Sequence, residues 1–160
     1  MNNTQKPLIV VALKEESNGL LEKERLDVIY TGLGKINAAY RITKVLLNKR
    51  QSGTLPFLVI NFGTAGSKKF KKGTLVVCHQ FVQRDMDATE LGFEFGVTPF
   101  DGIPKIIILP QIITSLPSAL CGSGDSFEIE KPKIDCDIVD MEAYALAKIC
   151  YTENIPFVSI

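Results

Sequence analysis

"LPFLVINFGTAGS", residues 55–67, is an apolar run without polar alternation that empties into a loop of glycine and small residues. A run this short is strand-sized. The missing alternation means that neither face of the strand meets water, as in a sheet covered by helices on both sides. "PLIVVAL" (7–13) has the same character. Between the two, "KEESNGLLEKE" (14–24) predicts a short polar helix or turn, and "LDVIYTGLG" (26–34) a strand running into a Gly-x-Gly turn. "KINAAYRITKVLLNKR" (35–50) predicts a helix with Ile36, Ala39, Tyr40, Ile42, Val45 and Leu46 on one face. Further strands are expected in "GTLVVCHQFVQRD" (73–85), "IPKIIILP" (103–110), "SALCGSGDSF" (118–127) and "CDIVD" (136–140). A helix over 141–153 and a last strand in "IPFVSI" (156–160) complete the pattern. Strands alternating with a few helices predict an α/β fold with a mixed, mostly buried central sheet flanked by helices.

A chain of 160 residues predicts a single domain over 1–160, and 46% hydrophobic residues with a mean hydropathy of +0.15 are ample for its core. Eighteen basic and eighteen acidic residues cancel, so no nucleic-acid surface and no polybasic membrane anchor is expected. The longest apolar runs are too short to span a bilayer, and no secretory leader pattern opens the chain, so a cytoplasmic location is expected. Cys78, Cys121, Cys136 and Cys150 form no CxxC, and His79 is the sole histidine, which argues against a metal site. Cys78, Cys121 and Cys150 lie in apolar stretches and read as buried, reduced thiols. His79 reads as an ordinary strand residue, which weakens a Ser-His or Cys-His hydrolase. The run "KKFKK" (68–72) reads as a solvated loop.

The chemistry is expected where strands end. Gly32-Leu33-Gly34, Gly63-Thr64-Ala65-Gly66, Gly122-Ser123-Gly124-Asp125 and Asp140-Met141-Glu142 each follow a predicted strand. Ligands of α/β sheets bind outside the carboxyl ends of strands, and glycines there let backbone N–H groups come close. Any one of these loops is an ordinary turn; together in one short chain they are harder to set aside. Gly32-Leu33-Gly34 is not a dinucleotide fingerprint, because Asn37 stands where the third glycine belongs. Asp140 before an apolar helix is a good cap. Glu142 beside it is a second carboxylate at the mouth of the sheet.

Six segments carry a resemblance to a known family: "ALKEE" (12–16), "GLGKINAA" (32–39), "INFGTAGS" (60–67), "RDMDATELGFEFG" (84–96), "GSGDSF" (122–127) and "VDMEAYALAKIC" (139–150). In order and spacing they resemble the nucleoside phosphorylase/nucleosidase superfamily, and most of all its 5'-methylthioadenosine/S-adenosylhomocysteine nucleosidases. The resemblance implies a phosphorylase/hydrolase-like fold and hydrolysis of the N-glycosidic bond of an adenine nucleoside. It implies that Glu16 activates water, that Phe127 stacks on adenine, that Glu142 binds the ribose hydroxyls, and that Met141 packs on the sugar. Thr64 and Gly66 would approach the ribosyl group. Leu91, Phe93 and Pro99 would help cover the 5' substituent of a neighbouring subunit's ligand in a homodimer. The implied partner is a small-molecule nucleoside, with no cofactor.

The chain also departs from that family. It is shorter after the first strand, between Pro99 and Ser118, and after Phe127, where "EIEKPKID" replaces an expected helix. Phe62 stands where a small residue is usual and is expected to narrow the pocket. The aspartate that would protonate the departing purine is expected beyond Ile160, so the domain is expected to lack its C-terminal loop and helix. Asn61 stands where superfamily phosphorylases carry a phosphate-binding arginine, which favours water over phosphate. A phosphorylase and a non-catalytic nucleoside-binding protein are the alternatives left open.

Overall fold

The computed structural model describes residues 6–24, 26–128 and 132–160. Its strands are β1 (Leu8–Val11), β2 (Asp27–Tyr30), β3 (Val59–Asn61), β4 (Val77–Gln83), β5 (Ile106–Ile108), β6 (Ser118–Ser123), β7 (Ile138–Asp140) and β8 (Phe157–Ser159). The α-helices are α1 (Lys14–Ser17), α2 (Leu20–Lys23), α3 (Lys35–Gln51) and α4 (Ala143–Thr152). The strands form one sheet in the order β2-β1-β3-β8-β4-β6-β7, with β5 on β4 outside that path. Neighbours are parallel except where β4 meets β5 and β8. This is the mixed α/β sheet that the sequence predicts.

β1 shows why the unbroken apolar runs matter. Its four residues are all buried, at 0–5% exposure, between parallel neighbours on both edges. No position is left for a polar side chain. α4 is equally apolar, with Ala143, Tyr144, Leu146, Ala147 and Cys150 in the core. Its alanines let it lie close to α3 and the strands. Phe81 of β4 and Phe157 of β8 stack with ring centres 5.3 Å apart.

Several boundaries differ from the sequence reading. Segment 14–24 forms two short helices, divided where Asn18 and Gly19 adopt positive φ. The long strand expected over 73–85 is confined to Val77–Gln83, because Lys71 to Thr74 close a turn. The 103–110 strand keeps only Ile106–Ile108, and the 141–153 helix runs from Ala143 to Thr152. The buried stripe of α3 is Ala38, Ile42 and Leu46, flanked by Ala39 and Val45. Ile36 and Tyr40, expected on that face, are 80% and 66% exposed. Each lies two residues from a stripe position, about 200° around a helix of 3.6 residues per turn. His79 sits in β4 where the register to β6 shifts, and its Nδ1 lies 3.0 Å from Ser118 Oγ. Cys78, Cys121 and Cys150 are buried free thiols, and Cys136 is half-buried. Among the described residues no helix is long and apolar enough to cross a membrane.

Candidate active site

A cavity of about 550 Å³ opens where β1, β3, β6 and β7 end. Ala12, Asn61, Gly63, Thr64, Cys121, Asp140 and Glu142 reach it from those strands, and Glu16 from α1. The parallel strands set this geometry, because their carboxyl ends and the loops after them fall on one edge of the sheet.

Glu16 is fixed from two sides. One carboxylate oxygen accepts the N–H of Leu13 at 3.1 Å, closing the first turn of α1. The other accepts both the N–H and the hydroxyl of Thr64, at 3.0 and 2.8 Å. Gly63 makes room: a Cβ there would stand 3.3 Å from Glu16 Oε1. The loop after β3 therefore aims a carboxylate that belongs to a helix after β1.

The turn after β7 is more deeply held. Asp140 accepts the N–H groups of Glu142 and Ala143 at 3.2 and 2.7 Å, which caps α4. Its other oxygen accepts the hydroxyl of Ser123 at 2.5 Å and the thiol of Cys121 at 3.3 Å. Contact with Cys78, burial and the charge of Asp140 push the Cys121 thiol up, so it stays a protonated donor. Desolvation likewise pushes the Asp140 carboxyl up against the pull of its donors. Glu142 is 8% exposed. Desolvation raises its carboxyl to about 7, helped by the charges of Asp140 and Glu16 and opposed by the Gly34 N–H. That N–H donates to Glu142 Oε1 at 2.7 Å, the Met141 N–H also pulls the carboxyl down, and no side-chain or further backbone donor reaches Oε2 among the described residues. A buried carboxylate with one open oxygen is poised for a hydroxyl-bearing ligand.

The glycine loops are tied to one another. Gly34 has φ +90°, and a Cβ on it would lie 3.1 Å from Asp125 Oδ1. That oxygen accepts the N–H of Lys35 at 2.7 Å, joining the first loop to the third. Gly66 pairs with Val139 through two backbone hydrogen bonds, and Gly124 N–H donates to the Asp140 carbonyl at 3.2 Å. Among the described residues no group of three or more His, Cys, Asp or Glu side chains could hold a metal ion.

Of the residues marked from sequence, Glu16, Thr64 and Glu142 come together on the cavity, and Phe62 lines it. Gly66 is outside the lining, between the lining residues Ala65 and Ser67, and bridges to Val139. Met141 is half-buried and lies outside the lining. Phe127 is 87% exposed on the loop after β6, also outside the lining. Leu91 is 71% exposed, and Phe93 packs edge-on against Phe100 with ring centres 5.1 Å apart. Pro99 is half-buried in the same segment, away from the cavity. Sequence reasoning missed the wall from Phe70 to Val76, which includes Lys71 and Lys72 of the "KKFKK" run. It also missed Ser159, which accepts Asn61 Nδ2 at 2.9 Å. An asparagine after an apolar strand was the available signal, since a buried amide needs a partner.

Residues 13–121 match the phosphorylase superfamily. Over 179 aligned residues the chain is 30% identical to the 5'-methylthioadenosine/S-adenosylhomocysteine nucleosidase of Staphylococcus aureus, covering 98% of this chain and 75% of that protein. A futalosine hydrolase mutant of Helicobacter pylori superposes with a TM-score of 0.83 at 22% identity, over 98% of this chain and 87% of that one. The S-adenosylhomocysteine nucleosidase of Streptococcus pyogenes, in complex with 5-methylthiotubericidin, gives 0.79 at 23% identity, over 99% and 82%. The structural likenesses carry the fold, and the sequence match carries the kinship: this chain belongs to the phosphorylase superfamily and, within it, to the family of the 5'-methylthioadenosine/S-adenosylhomocysteine nucleosidases.

Proposed function

We propose that the chain hydrolyses the N-glycosidic bond of an adenine nucleoside such as methylthioadenosine or S-adenosylhomocysteine. The observation that carries this reading is the placement of Glu16 and Glu142 on one cavity at the strand ends. Glu16, oriented by Thr64, takes the proton of the water that attacks the anomeric carbon. Glu142, ionised, accepts hydrogen bonds from the ribose hydroxyls through its open oxygen, and its charge stabilises the developing oxocarbenium ion. Met141 packs on the sugar, Phe127 stacks on the base, and Thr64 and Gly66 border the ribosyl group. No cofactor takes part. The proton for the departing purine is assigned to no described residue.

Water is favoured over phosphate at the strand ends, where Glu16, Asp140 and Glu142 line the cavity and Asn61 offers no cation to a dianion; the lysines of the lining, Lys71 and Lys72, belong to the separate wall from Phe70 to Val76. We place the activity in one cytoplasmic domain that works as a homodimer. Leu91, Phe93 and Pro99 cover the neighbouring subunit's ligand in that dimer. The exposure of Leu91, Phe100, Ile36 and Tyr40 supports a partner surface.

Chromatography of the products with and without phosphate tests the reaction. Free methylthioribose and adenine, at a rate indifferent to phosphate, are expected. A sugar 1-phosphate would establish phosphorolysis instead. Adenine binding without any turnover would make the chain a non-catalytic nucleoside-binding protein.

A further inference from the structure

Phe127 poses a physical problem. Its ring is 87% exposed, yet the loop that carries it is held firmly on both sides. The restraint comes from Arg84, the residue after β4, which is only 5% exposed. One terminal nitrogen of its guanidinium donates to Ser126 Oγ at 2.9 Å and to the Glu128 carboxylate at 3.1 Å. The other donates to the Gly124 carbonyl at 3.2 Å and to the Ser126 carbonyl. The residues on either side of Phe127 thus share one guanidinium. Arg84 N–H also donates to the Ser123 carbonyl at 2.8 Å. Asp85 adds a second hold, accepting Asp125 N–H at 2.8 Å and the Lys35 ammonium at 2.5 Å.

The fit is tight. A Cβ on Gly124 would stand 2.9 Å from the guanidinium carbon, so only glycine lets the loop lie against Arg84. Among the described residues Arg84 Nε is buried without an acceptor. A buried unpaired donor is a stability loss that a residue serving only to fill the core would not carry. A planar fork reaching several acceptors is something lysine cannot copy. A loop fixed in this way around an exposed aromatic ring loses little entropy when a flat ligand settles on the ring.

We propose that Arg84 is the positioning residue of the base site: by pinning Ser126 and Glu128 it presents the Phe127 ring as a fixed platform for a flat heteroaromatic base. The proposal rests on the nucleosidase reading for what the platform receives, and on the contacts above for Arg84.

Calorimetric titration of the whole chain with adenine, methylthioadenosine and methylthioribose tests it, using wild type, Arg84→Lys, Ser126→Ala, Phe127→Ala and the Arg84→Lys/Phe127→Ala double variant. Arg84→Lys is expected to weaken adenine and methylthioadenosine about tenfold, the scale of lost charged hydrogen bonds. Methylthioribose, held at Glu142, should bind as before. Ser126→Ala, at an exposed position, should shift the base-bearing ligands in the same direction and covers the case in which Arg84→Lys fails to fold. Phe127→Ala should weaken adenine, and the double variant should lose little more than either single one. Additive losses, equal weakening of adenine and methylthioribose, or adenine affinity within about twofold of wild type in both Arg84→Lys and Ser126→Ala would overturn the platform. Adenine binding unaffected by Phe127→Ala would overturn it too. Wild type binding none of the three ligands would instead remove the nucleosidase reading on which the proposal rests.

Discussion

Glu16 divides its carboxylate between the start of its own helix and Thr64. Glutamine at this position keeps an acceptor for one of those contacts but cannot take a proton. Glu16→Gln should therefore lower kcat by about 10²–10⁴-fold, the usual general-base contribution, with nucleoside affinity little changed. Steady-state kinetics beside calorimetry would check this, and turnover within about threefold of wild type would remove Glu16 from the mechanism. Glu142 makes a prediction in pH. Its carboxyl, 4.5 in the ordinary case, is raised to about 7 in the fold. The folded chain therefore holds this proton more tightly than the unfolded chain. The resulting stability is complete below pH 4.5 and is lost as pH rises through about 7. Urea unfolding of Glu142→Gln should match wild type near pH 4 and exceed it above pH 7, by up to about 3 kcal/mol at 1.36 kcal/mol per pKa unit. Parallel pH profiles for the two proteins would refute the shift. Nucleoside affinity should rise over the same interval, since only the ionised group accepts from two hydroxyls. That Thr64 and Glu142 lie on the cavity was legible in the sequence because each sits in a loop that closes a predicted strand, whereas Glu16 was marked by the family resemblance and by itself read as a solvated helix start. Arg84, Lys71 and Ser159 were not legible, because their roles depend on side chains and loops meeting across the fold.

The loops between elements are as constrained as the strands that carry them. Gly124→Ala drives a methyl group into the Arg84 guanidinium, and the side chain, buried on all sides, has little room to yield. A loss of about 1–3 kcal/mol is expected, as for overpacking elsewhere. Urea unfolding reads it directly. A variant as stable as wild type would show that the 122–128 loop can shift without loss. The strand sequence was legible because continuous apolar runs admit few alternatives. The helix faces were less so: α3 offers apolar residues all round, and the run from Lys35 to Arg50 does not say that Ala38 rather than Ile36 is buried. Small residues mark the buried side there, because α4 packs close against it. The two short helices at 14–24 and the turn at Lys71–Thr74 were blurred, since hydrophobic periodicity cannot place a break made by one positive φ.

For the whole molecule, the dimer proposed above would cover exposed apolar residues outside the core. Leu91→Asp puts a charge on that surface and should yield monomers with weakened nucleoside affinity, seen by sedimentation and titration. A wild-type protein that sediments as a monomer at micromolar concentration would contradict the dimer. The sheet order carries a different consequence. β8, at the end of the sequence, lies in the middle of the sheet, between β3 and β4. Among the described residues, β8 is the strand that joins the half made of β2, β1 and β3 to the half made of β4, β5, β6 and β7. During synthesis the β3 edge therefore waits unpaired until residues 157–159 have left the ribosome, whereas β5 already covers most of the β4 edge that β8 joins at Cys78. Edges of that kind recruit strands from other chains. Nascent chains stalled before β8 should be the species that chaperones hold and that aggregates first, and the closing step of folding should be slow, because it pairs segments far apart in sequence.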